Sequence, residues 1–382
     1  VKEFSKKYKL NDVISMDIGG TTTDIGQVIN NTVSESRRGT VEGVPTSFGL
    51  CEISSPGVGG SSILSINGKD IQVGPESVGA VPGPASFGRG GKESTMTDVN
   101  LLMGLLDPQT FFGGGLKLDI DRARAAIDEN IASPLGISVD EALVKLRDAY
   151  DKKVSDEMVE FANVSDETVL LAFGGAGPMS ACGIADKAGI KTVFIPKTAA
   201  VFSAYGIGSC DIGQSYSIVL ADFSNKTLEA AYANLADKAQ RDMFAEGYTD
   251  GDYEINAHIV GIKGSDETTH TLNDKTSFPK ALSGSDSATL EFSARKKLRV
   301  DSNQQAKVSQ GTAATKSSVR SIFGDNQEWN DLPVYQVSKM KSGNHGVGPA
   351  VIEDEYFTCL VRQGWTFVVT ELGDICLTKG AK

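Results

Sequence analysis

"VISMDIGGTTTDIGQVI", residues 13–29, decides how the first part of the chain folds. Two apolar, β-branched runs flank a loop of glycines and threonines, and this pattern predicts a β-hairpin. An aspartate stands at each end of the loop, Asp17 on the first strand and Asp24 on the second. The hairpin therefore presents small residues and backbone amides between two carboxylates.

A loop of this composition suits a phosphate group. Glycine lets backbone N–H groups approach closely, hydroxyls add donors, and a nearby carboxylate can hold Mg²⁺ directly or through water. The loop is not a P-loop, because it lacks the terminal Gly-Lys-Ser/Thr. A tight hairpin that binds nothing is the alternative interpretation. The candidate catalytic and metal-binding residues are Asp17 and Asp24, and the candidate cofactor contacts are Gly19, Gly20, Thr21, Thr22 and Thr23.

A second glycine-rich loop lies in "TVLLAFGGAGP", residues 168–178. A buried strand runs into this loop, a helix follows it, and "KTVFIP" predicts another strand, so the segment is of the βαβ type. The start of a helix suits an anion or the flat face of a nucleotide. Close packing of the helix on the strand is the alternative. The candidate contacts are Gly174, Gly175, Ala176 and Gly177.

Composition limits the partners that this chain can have. It has 382 residues with a net charge of −12 and no long basic run, so we expect neither nucleic acid nor an anionic membrane surface as a partner. No apolar stretch approaches the roughly 18 residues that span a bilayer. Five scattered cysteines without a CxxC pair fit a reducing compartment, and we expect the cytoplasm.

The chain is long enough for two domains. Helical patterns follow the first loop at 95–106, near 121, and from Ser138 to about residue 163, where Ser138 and Glu141 match a capping box. Beyond residue 221 the sequence becomes strand-rich and polar. We therefore predict an α/β domain at 1–220 and a strand-rich C-terminal domain at 221–382.

Taken together, the two loops resemble a known ATPase pattern. "MDIGGTTTDIG" is similar to the second phosphate loop of the actin/Hsp70/sugar-kinase superfamily, and "FGGAGP" is similar to its adenosine loop. The whole chain more specifically resembles the carboxyl-terminal part of the hydantoinase A/5-oxoprolinase family, which includes ATP-dependent subunits of acetone and acetophenone carboxylases. The stretches that carry this resemblance are "VGPESVGAVPGPASFGRGG" (73–91), "TMTDVNLLMGLLDP" (95–108), "LLAFGGAGPMSACGIAD" (170–186), "VFSAYGIGSCDIGQSYS" (201–217) and "GPAVIEDEYFTCLVRQGW" (348–365).

The resemblance implies a fold, two cofactors and partners. It implies an actin-like (ribonuclease H-like) lobe with inserted helices that binds ATP and Mg²⁺. By this resemblance, Asp17 positions the metal or the attacking group, Asp24 contacts the metal's water shell, and the two loops hold phosphates and adenosine. Only one phosphate loop is present in these 382 residues, so the other is expected from a partner subunit, unless the lobe that carries it was cut away. The expected activity is phosphorylation of the carbonyl oxygen of a small molecule, ahead of carboxylation or hydrolysis, with the ketone-carboxylase branch favoured.

Several positions depart from the family pattern. Ser54 stands where the family has histidine, Leu105 stands where it has arginine, and "AHIVGIKGS" (257–265) replaces its Arg-Tyr-Gly-Gln signature. These departures and the single phosphate loop keep open the alternative of a structural subunit without turnover. A small-molecule kinase of the same superfamily that acts alone is a third possibility. For Asp98, a helix N-terminal cap is favoured over a ligand contact, and the role of Asn100 stays open.

Overall fold

The computed structural model describes residues 1–36, 39–41, 44–45, 50–298 and 305–380. They form two compact units. The first comprises Val1–Tyr205 and Ser302–Lys382, and the second is Gly206–Asp301.

The α-helices of the described residues are α1 Lys2–Tyr8, α2 Met96–Leu102, α3 Ile120–Ile127, α4 Ser133–Leu135, α5 Val139–Phe161, α6 Gly177–Ala188, α7 Phe202–Ile207 and α8 Asn225–Ala245. The strands before α6 are β1 Asp12–Ile18, β2 Thr23–Ile29, β3 Thr32–Val33, β4 Glu35–Ser36, β5 Thr40–Val41, β6 Val44–Pro45, β7 Leu50–Cys51, β8 Ile53–Ser54, β9 Ser62–Asn67, β10 Asp70–Ser77 and β11 Val169–Phe173. The later strands are β12 Thr192–Ile195, β13 Ile212–Val219, β14 Glu254–Lys263, β15 Asp266–Thr271, β16 Ser287–Lys296, β17 Ser318–Phe323, β18 Trp329–Gln336, β19 His345–Val347, β20 Ala350–Glu353, β21 Thr358–Val361, β22 Trp365–Val369 and β23 Ile375–Lys379.

A nine-stranded mixed sheet organises the first unit, in the order β19-β22-β23-β12-β11-β1-β2-β3, with β8 beside β2. Strands β1, β11 and β12 are parallel to one another, whereas β1 and β2 form the antiparallel hairpin. The apolar run of β1 is buried throughout, which is expected of a central strand with structure on both faces. The predicted hairpin and βαβ segment are confirmed, and the fold is α/β as predicted.

The predicted helices are also confirmed. Helix α2 begins after Thr95, in a capping box in which Thr95 Oγ1 accepts from the Asp98 amide and the Asp98 carboxylate accepts from the Thr95 amide. Helix α5 begins after Ser138, whose Oγ accepts from the Glu141 amide at 3.1 Å. Within the described ranges, no helix is both long and apolar enough to cross a membrane.

The predicted boundary near residue 221 differs from the division that the structure shows. Strand β13 ends at Val219 yet belongs to the second unit, because it pairs with β16. Strand β23 pairs with β12 in the main sheet, and the buried side chains of Trp365 and Phe367 join the core of the first unit. Residues 221–382 therefore do not form one C-terminal domain.

The second unit is a four-stranded antiparallel sheet covered by one helix. The strand order is β13-β16-β14-β15. Helix α8 places Leu228, Leu235 and Met243 on one face, at helical spacing, in a core that also contains Leu290 and Phe292 of β16. The unit therefore has its own hydrophobic core.

Candidate functional site

Asp17 and Asp24 are direct cross-strand partners in the β1–β2 hairpin. Residues that stand opposite each other in an antiparallel pair point to the same face, with Cβ atoms about 5 Å apart. The Asp17 side chain is half-buried and the Asp24 side chain is exposed. The hairpin thus brings the two carboxylates together on one face, one residue pair before its turn.

The environment of Asp17 disfavours its charge. Burial raises the pKa of Asp17 above its ordinary value, and the nearby charge of Asp24 raises it further. A hydrogen bond from Ser203 Oγ to Asp17 Oδ2, 2.6 Å long, acts in the opposite direction. Asp24 Oδ1 accepts a hydrogen bond from Ser55 Oγ. The pair therefore concentrates negative charge at a partly desolvated place, which suits a bound cation.

The turn of the hairpin is short and open to solvent. The Gly19 amide donates to the Thr22 carbonyl at 3.0 Å, which closes the turn. Gly20, Thr21 and Thr22 are exposed to solvent, where a ligand can reach them.

The structure corrects the prediction for Thr23. This residue is fully buried, and its hydroxyl donates to the Val58 carbonyl at 2.5 Å. Since the side chain lies on the inner face of β2, its hydroxyl stabilises the fold and does not face the open side of the loop.

A segment that the sequence analysis did not single out supports this turn. The Gly60 amide donates to the Gly19 carbonyl at 3.0 Å, and the Ser61 amide donates to the Gly20 carbonyl at 2.5 Å. A Cβ atom on Gly59 would lie 2.7 Å from the Thr21 nitrogen, so only glycine fits there. The glycines are visible in the sequence as "GVGG", residues 57–60, but the turn that they contact lies some forty residues away in the chain.

The second predicted loop lies beside the first, because β1 and β11 are adjacent and parallel and both end at this edge. The Ala176 amide donates to the Ile18 carbonyl at 3.1 Å. Gly174 has φ +81°, and a Cβ atom there would overlap with Asp17 Oδ1 and the Ile18 carbonyl oxygen. A Cβ atom on Gly175 would meet open space. Gly174 therefore permits close packing of the two loops, and Gly175 leaves room for a ligand.

Helix α6 begins at Gly177, directly after this loop, and its N-cap residue Ala176 makes no side-chain cap. The N-terminus of a helix carries partial positive charge and unpaired N–H groups, which favour an anion. The structure thus places the exposed turn 19–22, the two aspartates and the start of a twelve-residue helix around one edge of the sheet.

The two carboxylates suit a metal ion that is bound together with a phosphate group. Among the residues that the structure describes, no group of three or more His, Cys, Asp or Glu side chains could hold a metal ion. Mg²⁺ usually keeps several waters and takes one or two carboxylates together with substrate phosphates. Asp17 and Asp24 match this requirement, whereas they are too few for an independent metal site.

The remaining motif positions lie outside this edge or at its border. Asp98 is fully buried and accepts from the Ser86 and Thr95 amides, so the helix-capping role favoured for it is confirmed. Asn100 is also buried, and its Oδ1 accepts from Arg147 Nη1 at 3.0 Å. Ser54 lies opposite Ile25 in the β8–β2 pair, one residue from the site.

The sequence is similar to those of subunits of known enzymes. The acetophenone carboxylase gamma subunit of Aromatoleum aromaticum is 27% identical over 94% of this chain and 55% of its own length. The caprolactamase subunit alpha of Pseudomonas jessenii is 28% identical over 98% of this chain and 59% of its own length. The chain therefore spans less than two thirds of the curated relatives that it matches.

Solved structures share the fold. The nucleotide-free structure of acetone carboxylase matches 99% of this chain and 60% of its own length, with a TM-score of 0.84 and 22% identity. The crystal structure of the ATP-dependent caprolactamase from Pseudomonas jessenii matches 100% of this chain and 61% of its own, with a TM-score of 0.74 and 26% identity. The mixed α/β arrangement is thus that of these enzymes.

Models of two protein families match most of the sequence. The hydantoinase/oxoprolinase model matches residues 1–216, which contain both loops, and the hydantoinase/oxoprolinase C-terminal domain model matches residues 291–373. Because the first model covers more than half of the chain, and the fold agrees with it, this protein belongs to the hydantoinase/oxoprolinase family.

Proposed function

We propose that this chain binds Mg-ATP at the edge formed by residues 17–24 and 174–177. In this proposal ATP phosphorylates the carbonyl oxygen of a small molecule, a ketone, lactam or hydantoin, ahead of carboxylation or hydrolysis. The observation that carries the proposal is the Asp17–Asp24 pair, held beside the N-terminus of α6 by adjacent parallel strands. Relatives with names such as acetophenone carboxylase and caprolactamase support the substrate class.

Each part of the edge has a role in this proposal. The exposed turn 19–22 contacts the terminal phosphates through backbone amides and hydroxyls, and residues 174–177 lie against the adenosine. Asp17 and Asp24 hold Mg²⁺ either directly or through the water molecules bound to the metal. Bound Mg-ATP supplies the phosphoryl group, and catalysis of such a transfer consists mainly of positioning and charge neutralisation.

We further propose that the enzyme contains other subunits. The relatives are named as gamma, alpha and beta subunits, which supports partners in this case as well. In this proposal a partner carries out the step after phosphorylation. The five cysteines, all within the described residues, are free, which fits a reducing compartment, and we propose the cytoplasm.

The decisive experiment measures ATP consumption by the enzyme purified with its co-purifying subunits, with acetone, acetophenone, 5-oxoproline and caprolactam as substrates. We expect one of these compounds to stimulate ATP turnover. Asp17→Asn should lower the stimulated rate by about 10²-fold, because it removes a charge that acts on the phosphoryl group and its metal. Asp121→Asn is the matched control, since Asp121 is exposed in the first turn of α3, outside the site.

Three results would contradict the proposal, each in a different part. Full ATP turnover by Asp17→Asn would exclude the assigned site. An assembled enzyme that neither binds nor consumes ATP would instead favour a structural subunit, whereas stimulated turnover by this chain alone would favour a kinase without partners.

A further inference from the structure

Ser203 contacts the central carboxylate of the site from a distant part of the chain. Its Oγ donates to Asp17 Oδ2 at 2.6 Å, between residues separated by 186 positions. A short hydrogen bond to a carboxylate is among the stronger hydrogen bonds in proteins. The other oxygen, Oδ1, lies against Gly174. Two separate segments therefore constrain the two oxygens of Asp17, which limits rotation of the carboxylate.

The backbone that carries Ser203 is itself held in place. Phe202 is buried, and its ring lies 4.7 Å from that of Phe173 and 6.0 Å from that of Phe4, between ring centroids. The Ala199 carbonyl accepts from the Gly174 amide at 2.9 Å. Ser203 is solvent-exposed, yet its position is set by a buried neighbour and by a hydrogen bond to the loop that follows β11.

We infer that Ser203 is a positioning residue, which holds the Asp17 carboxylate in one orientation towards the metal and phosphates. This inference rests on the proposed function. Gly174 touches Asp17, and its amide also donates a hydrogen bond to the Ala199 carbonyl. The segment from Ala199 to Ser203 therefore supports both the Asp17 carboxylate and the loop that is proposed to bind adenosine. A displacement of about 1 Å at a reacting group can reduce a rate by 10²-fold, so loss of this support should be measurable.

The test compares three variants of the enzyme purified with its co-purifying subunits. Ser203→Ala removes the hydroxyl, and Ser203→Thr keeps it. The control is Ser133→Ala, because Ser133 Oγ likewise donates to an aspartate, Asp128 Oδ1 at 3.0 Å, on an exposed surface outside the site. ATP turnover is measured against Mg²⁺ concentration, and ADP affinity is measured without Mg²⁺.

Ser203→Ala should lower kcat by about 10-fold or more and raise the Mg²⁺ concentration needed for half-maximal rate, because the carboxylate loses one of its two constraints. ADP affinity without Mg²⁺ should stay within about twofold, since the residue touches Asp17 and not the nucleotide loops. Ser203→Thr should recover most of the rate, and Ser133→Ala should match the wild type. If Ser203→Ala does not fold, Ser203→Cys replaces it, because a thiol is a weak donor.

A double variant tests whether Ser203 acts through Asp17. Asp17→Asn combined with Ser203→Ala should be no slower than Asp17→Asn alone, since effects of residues that act as a unit are not additive. Unchanged kcat and Mg²⁺ dependence in Ser203→Ala, equal impairment of Ser203→Thr, or additive effects in the double variant would each overturn the inference. If Asp17→Asn abolishes turnover while Ser203→Ala does not alter it, only this inference fails. If the wild type does not use ATP, the proposed function fails and this inference with it.

Discussion

The Asp17 carboxylate lies directly against the α-carbon of Gly174. A Cβ atom at residue 174 would overlap with Asp17 Oδ1 and with the Ile18 carbonyl oxygen, and the backbone there has φ +81°. This one approach joins the turn of the β1–β2 hairpin to the loop that enters α6. The candidate site therefore requires glycine at position 174 as much as it requires the two carboxylates.

Gly174→Ala is expected to lower the free energy of unfolding by more than 2 kcal/mol and to weaken ATP binding. About 1 kcal/mol comes from the left-handed backbone conformation, and the remainder comes from the overlap with Asp17. Gly189→Ala separates the two terms, because Gly189 has φ +77° and open space around its Cβ position. Urea unfolding checks both variants, and equal losses in the two would contradict the steric argument.

The pH dependence of stability should reveal the cost of burying the charged carboxylate of Asp17. Its pKa is raised by burial, so the folded protein binds the proton more tightly than the unfolded chain does. The contribution of this group to stability is therefore present below the ordinary aspartate pKa and is lost as the pH rises through the raised value. Without nucleotide and Mg²⁺, Asp17→Asn should be more stable than the wild type at pH 7.5, and the difference should shrink at lower pH.

Thermal unfolding at several pH values measures this difference. Asp24→Asn is the matched variant, because it removes only the charge repulsion on Asp17 and leaves the burial unchanged. It should therefore give the smaller gain. An Asp17→Asn protein that is less stable than the wild type at pH 7.5 would show that the hydrogen bond from Ser203 outweighs the burial.

Substitution of Thr23 should affect mainly stability, and substitution of Thr22 should affect mainly ATP binding. Thr23→Val removes the buried hydrogen bond to the Val58 carbonyl and is expected to cost about 1–2 kcal/mol of stability, with ATP affinity retained in the folded protein. Thr22→Val, at an exposed position, should change stability by less than about 0.5 kcal/mol and weaken ATP binding. Chemical denaturation and calorimetric titration with Mg-ATP test the pair, and the reverse pattern would contradict our assignment of the two hydroxyls.

We expect Asp98 to stabilise the fold and not to contact a ligand. Asp98→Ala leaves the amides of Ser86 and Thr95 without their acceptor, which is expected to cost about 3 kcal/mol. Asp121→Ala, at an exposed position in the first turn of α3, should cost less than about 0.5 kcal/mol. ATP affinity of Asp98→Ala, measured well below its unfolding temperature, should equal that of the wild type. A tenfold loss of affinity in the folded variant would instead indicate a ligand contact.

Much of the candidate site could be predicted from the sequence because its signals are local. The glycines and threonines between two β-branched runs set the hairpin, and the hairpin alone brings Asp17 and Asp24 into register. The apolar strand followed by glycines and a helix placed residues 174–177 at a helix N-terminus. The βαβ segment likewise made β11 and β12 parallel neighbours, since such units form parallel sheets.

The sequence by itself therefore determined the hairpin, the helix starts and the two glycine-rich loops, since each depends on residues a few positions apart. Only the tertiary structure decided the rest. It directed Thr23 inward to Val58, brought the glycines of 57–60 beneath the turn, placed Ser203 on Asp17, and returned β22 and β23 to the main sheet. These contacts join segments far apart in the chain, and their geometry follows from which surfaces are buried together, a property that no local pattern contains.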